Sequence, residues 1–418
     1  EGCAYYDQYL SYLSADVVLF NAAKYKIEVA LDRKPETYVD IIDEADEFLD
    51  NFSIQEELNL TRLRSALQHL SPEQTFVSDT IQNISELLVL EEKNKQALGI
   101  DEQELFPLQE TKLEKILKLF LNQPELAVEI ILDEESYANR ALVVADSFEQ
   151  LFGETYVSYR KVDKELIVQF VSTNLSKRFG EIVSKNKALV LMSGTLHSKI
   201  VLQTIFGIKD FALVEAETML QGNLEIRETG KEIDCKYEHF RLGKHTREEY
   251  LRALEACAAQ AIKPVVVHVQ AYEDLPSEGE IIKYGLQGLM GRDELRRLQF
   301  EDKTGKRVSL FKSKASDVLF STNCARGVDF PGDICNSMIF TKYPNPAAQD
   351  IFWRLLRKTH PASYWSFYHD KAHREFLQRL FRALRSKEDH VYVLSPDIRV
   401  LDAARAVQKK MQEGKSIE

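Results

Sequence analysis

The sequence predicts an α/β protein built on two parallel sheets, with a helical insertion that interrupts the first sheet after two strands. Short apolar runs rich in β-branched residues recur at 15–21, 38–42, 166–171, 188–192, 264–269, 318–320, 337–340 and 391–394, mostly separated by helical patterns. In Leu189-Val190-Leu191-Met192 and in Val265-Val266-Val267-His268-Val269 the apolarity is continuous rather than alternating. Strands covered by helices on both faces read this way, as parallel sheets do. Between about 52 and 153 the strand signals stop and helix-start signals replace them.

A chain of 418 residues, 44% hydrophobic and 29% charged, has enough apolar mass for two or three packed cores of about 100–200 residues each. No run approaches the roughly 20 apolar residues of a membrane span. The start Glu1-Gly2-Cys3 resembles neither a signal peptide nor an ordinary initiator, so the expectation is a chain that begins inside a longer parent. Cysteines stand at 3, 235, 257, 324 and 335 with no CxxC pair, which encodes neither a zinc site nor a disulfide framework. A reducing cytoplasm is the expected compartment. The net charge of −12 excludes little, because nucleic acids are gripped through local basic grooves rather than global charge.

In the inserted stretch, Ser71-Pro72-Glu73-Gln74 combines a capping box with proline at the first helical position, and Thr111-Lys112-Leu113-Glu114 repeats the box. Leu113, Ile116, Leu117 and Phe120 then fall on one helical face before Asn122-Gln123-Pro124 ends it.

Working residues of open parallel sheets sit just beyond the carboxyl ends of strands. Four places offer chemistry. Val39-Asp40-Ile41-Ile42 is followed by Asp43-Glu44-Ala45-Asp46. There Asp43 suits Mg²⁺, and Glu44 suits a base that deprotonates the water attacking a γ-phosphate; the alternative is a solvated acidic loop. The strand ending at Met192 leads into Ser193-Gly194-Thr195-Leu196, either a relay of nucleotide state or the cap of the next helix. The run 318–320 leads into Ser321-Thr322-Asn323-Cys324-Ala325-Arg326-Gly327-Val328-Asp329-Phe330-Pro331-Gly332. Its hydroxyls, arginine, glycine and aspartate suit a surface that touches both phosphate backbone and nucleotide. In Gln378-Arg379-Leu380-Phe381-Arg382-Ala383-Leu384-Arg385, helical spacing places Gln378, Arg382 and Arg385 on one face. Two guanidinium groups there suit arginine fingers on a transferring phosphoryl group, against the alternative of a solvated face paired with Glu375 or Glu388.

The order of an acidic box, Ser-Gly-Thr-Leu, the 321–333 loop and the Gln378–Arg385 pattern resembles motifs II, III, V and VI of the XPD/DinG-type superfamily 2 iron–sulfur helicases. Pro264-Val265-Val266-Val267-His268 followed by Tyr272 is similar to the strand of motif IV. The resemblance implies two RecA-like P-loop-type motor domains with ATP at their interface, 5′→3′ translocation on single-stranded DNA, a helical Arch-like insertion and a [4Fe–4S] cluster. It divides the chain into a remnant of the cluster region (1–12), part of the first motor domain (13–51), the Arch-like insertion (52–153), the rest of the first motor (154–200) and the second motor (201–418). The first motor domain is then truncated at its N-terminus. Asp43 would hold Mg²⁺, Glu44 would be the base, and Arg382 with Arg385 the fingers. Gln378, Gly327 and Asp329 would face nucleotide, and Ser193, Gly194, Thr195, Thr322 and Arg326 would couple it to DNA. Cys3 before Ala4-Tyr5-Tyr6 looks like the last cluster cysteine, one ligand of four. Forked or bubble DNA is the implied substrate and a monomer the expected state.

Three features depart from the family. No phosphate loop GxxxxGK[ST] occurs, and Thr304-Gly305-Lys306-Arg307 is no substitute. Hydrolysis by this chain alone is therefore not expected. Asp46 stands where the box usually has histidine, and Phe381 where motif VI usually has glycine. For DNA contacts the loop Thr341-Lys342-Tyr343-Pro344-Asn345-Pro346, with an aromatic beside a lysine, is preferred over the mixed-charge stretch from Arg292 to Lys314. Trp353, Tyr364 and Trp365 are expected in the core. The rival readings are a nonhydrolytic DNA-binding or scaffold protein and an RNA helicase of the DEAD type.

Overall fold

The computed structural model describes residues 8–30, 33–70, 74–132, 136–214, 222–322 and 327–413. The chain divides into two compact units, Glu1–Asp210 with Ala347–Phe367, and Phe211–Pro346 with Tyr368–Glu418. The described strands are β1 (Thr37–Ile42), β2 (Ile54–Asn59), β3 (Phe106–Pro107), β4 (Thr155–Val162), β5 (Glu165–Ser172), β6 (Asn186–Leu191), β7 (Asn223–Ile226), β8 (Val265–His268), β9 (Val318–Ser321), β10 (Ser337–Phe340) and β11 (His390–Leu394).

In the first unit β1 and β6 pair in parallel, from Thr37 opposite Asn186 to Ile42 opposite Leu191. The buried Asp40 inside β1 is satisfied by the Tyr25 hydroxyl, Lys34, Thr37 and the Asn186 amide, as a carboxylate out of water must be. Val39, Ile41 and Val190 remain exposed, so this two-stranded ladder is not covered on both faces by the described residues as its apolarity predicts. The run 15–21 is not a strand. Val17 and Leu19 are exposed, and no ladder forms there.

A second sheet in this unit is antiparallel, in the order β2-β5-β4-β3. It corrects the reading of 166–171: β5 pairs with β2 and β4 rather than resuming the parallel sheet. The hairpin between β4 and β5 turns through Asp163 at φ 54°, a left-handed position that short-chain Asp tolerates. Strands β2 and β3 also lie inside the stretch read as purely helical. The sheet shares one core with the helices, joining Leu58, Val157, Val168 and Phe170 to Ile84, Leu113, Ile116, Leu117, Phe120 and Phe148. All four residues of the predicted face of helix Leu113–Leu121 are buried. Its predicted capping box does not form: the Thr111 hydroxyl accepts from Leu113 N–H at 3.2 Å, while Glu114 pairs with Lys118 at 2.7 Å. Ser71, Pro72 and Glu73 lie outside the described residues. Because Leu117 is fully buried, Leu117→Ala is expected to destabilise this unit by about 2–5 kcal/mol, read as a lower urea midpoint at unchanged slope.

The helix Ile351–Thr359 belongs to the first unit although it lies between the two segments of the second in sequence. Arg354 donates to Glu102 O at 2.8 Å and Lys358 to Leu105 O at 3.1 Å. Trp353 and Tyr364 are buried as expected, whereas Trp365 is 53% exposed, which corrects its assignment to the core.

The second unit holds a five-stranded sheet, entirely parallel, in the order β7-β11-β10-β8-β9. Val266, Leu319, Met338 and Phe340 face one core, with Phe376 and Leu380. Val265, Val267, Phe320 and Ile339 face another, with Leu254 and Cys257. Cover on both faces is the reason Val265-Val266-Val267-His268-Val269 reads as continuously apolar. The helix Arg247–Gln260 opens on a capping box that the sequence reading missed, Thr246 accepting from Glu249 N–H at 3.2 Å and Glu249 accepting from Thr246 N–H at 2.8 Å.

Candidate nucleotide and coupling site

Two backbone bonds carry the first ladder past its strands, Met192 N–H to Ile42 O at 2.9 Å and Ala45 N–H to Met192 O at 2.8 Å. They set the acidic box beside the Ser193 turn. Asp43 and Glu44 are exposed where β1 stops. Asp43 accepts from Glu44 N–H at 2.9 Å, and Glu44 sits in the left-handed region at φ 47°, ψ 46° before helix Ala45–Asp50. A glutamate in this conformation carries steric strain of the kind that gathers at working sites.

Asp46 is buried and its carboxylate grips the neighbouring turn. The Ser193 hydroxyl donates to Oδ1 at 2.6 Å, the Thr195 hydroxyl donates to Oδ2 at 3.2 Å, and Thr195 N–H donates to the Ser193 hydroxyl at 3.0 Å. The departure at Asp46 therefore leaves a direct link between the two turns. One helical turn later, Asp50 meets His197 Nε2 at 3.1 Å, and the buried imidazole packs edge-on against Phe206 at 5.3 Å. The sequence reading missed Asp50 and His197. Their signal was present, since Asp46 and Asp50 are four apart on one helix and Ser193, Thr195 and His197 alternate along one turn. Asp46→Ala removes two charge-assisted bonds from a buried group and is expected to cost about 1.5–3 kcal/mol in a urea titration, with Asp46→Asn costing less.

In the second unit the loop after β9 and the turn after helix Pro361–Leu380 meet. Arg382 donates to Asp329 Oδ1 at 2.9 Å and Arg385 donates to the same oxygen at 2.5 Å. Burial works against the charged carboxyl of Asp329, but hydrogen bonds from Arg382 and Arg385 outweigh it and hold the group below the ordinary carboxylate range. The helical-face reading is corrected here. The helix ends at Leu380, so Arg382 and Arg385 stand in a turn and converge through Asp329, not through helical spacing. Gln378 is buried in the helix. Phe381 packs against the core, and Arg382 still reaches Asp329. Gly327 has φ 72°, a conformation glycine adopts without penalty. Thr322 exchanges hydrogen bonds with the Gln299 amide at 3.1 and 3.2 Å. Arg326 lies outside the described residues, as do Cys3 and Cys324.

The 341–346 loop is anchored within the second unit. Lys342 pairs with the buried Asp274 at 2.6 Å and lies 5.2 Å over the Tyr250 ring. Tyr343 donates its N–H to Asp397 at 2.9 Å, and its ring packs on Phe376 at 5.9 Å. Both residues hold the loop to its own unit.

Among the described residues no cluster of three or more His, Cys, Asp or Glu is gathered for a metal. Mg²⁺ held by one carboxylate with water and phosphate oxygens needs no such cluster, and exposed Asp43 fits that role. The described cysteines do not fit an iron–sulfur cluster. Cys235, Cys257 and Cys335 are buried, and burial raises all three thiols, Cys335 to about 12, away from the thiolate a cluster requires. No helix among the described residues is long and apolar enough to cross a membrane.

Residues 256–414 match the family described as Helicase C-terminal domain. Comparison with curated proteins yields no match. Among solved structures, the fold is similar to that of a protein named XPD_Helicase, at 16% identity, covering 99% of this chain and 74% of that one, with a TM-score of 0.58. It is similar also to XPD_APO, at 16% identity, 89% and 74% coverage and a TM-score of 0.52. A structure of S. tokodaii Xpd4 matches at 15% identity, 92% and 75% coverage and a TM-score of 0.54. Residues 256–414 thus resemble a helicase C-terminal domain, in a chain whose fold is similar to that of the XPD helicases.

Proposed function

We propose that this protein is an ATP-dependent DNA helicase that moves 5′→3′ along single-stranded DNA and opens forked or bubble substrates. The observation that carries the reading is the convergence of Arg382 and Arg385 on Asp329 inside the helicase C-terminal domain. Two fixed cations held on one carboxylate can be transferred to a phosphate when nucleotide competes for them. Asp43 is assigned to Mg²⁺, and the bound ion supplies neutralisation of charge on the β- and γ-phosphates. Glu44 accepts the proton of the attacking water, Arg382 and Arg385 stabilise the transferring group, and Gln378 and Gly327 complete the nucleotide contacts. Asp46 passes the state of the box to Ser193, Gly194 and Thr195. Thr322 and Arg326 are assigned to the DNA side.

The sequence contains no phosphate loop, so this reading requires the β,γ-phosphate cradle to come from a longer polypeptide or a partner chain. A [4Fe–4S] cluster likewise needs ligands beyond the described cysteines. The test is ATP hydrolysis with and without single-stranded DNA, by residues 1–418 alone and by the longest natural polypeptide that carries them. Strand opening is measured alongside on forks with a 5′ or a 3′ tail. DNA-stimulated turnover in the longer protein and opening from the 5′ tail are expected. Tight DNA binding with no turnover in either would replace the reading with a nonhydrolytic DNA-binding protein, and stimulation by RNA alone would replace it with an RNA helicase.

A further inference from the structure

The turn that carries the two arginines is held by a residue that binds its backbone amides. Asp389, 3% exposed, lies between the turn and β11. Its Oδ1 accepts from Gly332 N–H at 2.6 Å, and its Oδ2 accepts from Arg385 N–H and Ser386 N–H, each at 2.6 Å. Gly332 ends the loop that supplies Asp329, so one carboxylate ties the loop after β9 to the turn after helix Pro361–Leu380. The same turn is joined to that loop once more, by Phe330 N–H donating to Arg382 O at 2.7 Å. The Asp389 carbonyl in turn accepts from Asn223 N–H at 2.7 Å, fixing the clamp to β7. Gly222 makes this approach possible, since a Cβ there would stand 2.8 Å from the Asp389 carbonyl oxygen.

Three backbone N–H groups on one buried carboxylate are worth more than neutral turn bonds, because each is charge-assisted and shielded from water. Burial opposes the charge, but the N–H groups of Ser386, Arg385 and Gly332 outweigh it and hold the carboxyl below the usual range. The arrangement also explains why the helix stops short of the arginines. Arg382 and Ala383 N–H bond at i−3, to Arg379 and Leu380 carbonyls at 3.3 Å, and Asp389 takes the amides of Arg385 and Ser386.

We propose that Asp389 is the positioning residue of Arg385: it fixes the backbone of Arg385 against the Asp329 loop, so that its guanidinium group is presented in one geometry. The proposal rests on the reading that Arg382 and Arg385 act in ATP hydrolysis. It is tested by a double-substitution cycle in the DNA-stimulated ATPase of the longest natural polypeptide, with melting temperature followed in parallel. Asp389→Asn is expected to lower kcat about 10–100-fold with KM for ATP changed by less than about 3-fold, the pattern of an interaction used in the transition state. In an Arg385→Ala background the same substitution is expected to lower kcat by less than about 3-fold, since the group it positions is gone. Losses that multiply across the two backgrounds would assign Asp389 to structure alone and overturn the proposal.

Amide exchange in residues 1–418 separates this outcome from failure of the underlying reading. If no polypeptide hydrolyses ATP, the functional reading falls. The clamp is still decided, because Asp389→Asn is expected to speed exchange at Gly332, Arg385 and Ser386 while the helix Arg247–Gln260 is unaffected. Unchanged exchange at those three amides would overturn it.

Discussion

Arg382→Ala is expected to lower DNA-stimulated ATP turnover by about 10³–10⁵-fold, the range in which arginine fingers contribute to phosphoryl transfer. The side chain is well placed for such dependence. It is 12% exposed and donates to Asp329 at 2.9 Å, so its geometry is set before any nucleotide arrives. Arg385, 43% exposed and sharing the same carboxylate oxygen, is expected to show a smaller loss. Arg382→Lys is the informative companion, because it keeps the charge and removes the planar fork. If lysine restores most of the rate, charge alone suffices. If it behaves like alanine, the two-pronged geometry is required. Single-strand affinity measured in the same samples is expected to change little, and a loss of turnover under about 10-fold would remove Arg382 from the reaction.

Glu44→Gln is expected to lower kcat by about 10²–10⁴-fold at saturating ATP and DNA, the usual contribution of a positioned general base. Glutamine matches glutamate in size, so helix Ala45–Asp50 and the Asp46 grip on Ser193 are expected to survive. An unchanged melting temperature checks this. Backbone strain adds a second arm, because Glu44 sits at φ 47° without the freedom of glycine. Glu44→Gly is expected to match Glu44→Gln in lost turnover without lowering stability, since glycine relieves the strain that glutamate carries. Full activity in either variant would move the base elsewhere and leave the acidic box a solvated loop.

Much of the site was legible because its motifs are local. A strand that stops at Ile42 and is followed by two acids, or one that stops at Met192 and is followed by hydroxyls, is written in adjacent residues. The ladder then brings the two turns together with no further instruction. Asp46 shows the limit of that reading. The sequence marked it as a departure, and only the pairing of β1 with β6 revealed that its two oxygens face Ser193 and Thr195. Arg382 and Arg385 show another limit. The two arginines do meet, but not on a helical face, because the carboxylates that hold the turn, Asp329 and Asp389, lie elsewhere in the chain.

The fold divides along the same line. The sequence by itself determined the parallel sheet of the second unit, since burial on both faces leaves continuous apolar runs at β8, β9 and β10. It also determined the buried face of helix Leu113–Leu121, whose period of 3.6 is a local property. Tertiary structure alone decided that β5 joins an antiparallel sheet with β2 and β4, because an apolar run of six residues is compatible with either sheet and pairing is chosen by distant partners. It decided too that Lys342 and Tyr343 are tied to their own unit, through Asp274, Asp397 and Phe376. An ion pair and a ring contact between residues tens of positions apart leave no periodic trace in the chain, so only folding could show them.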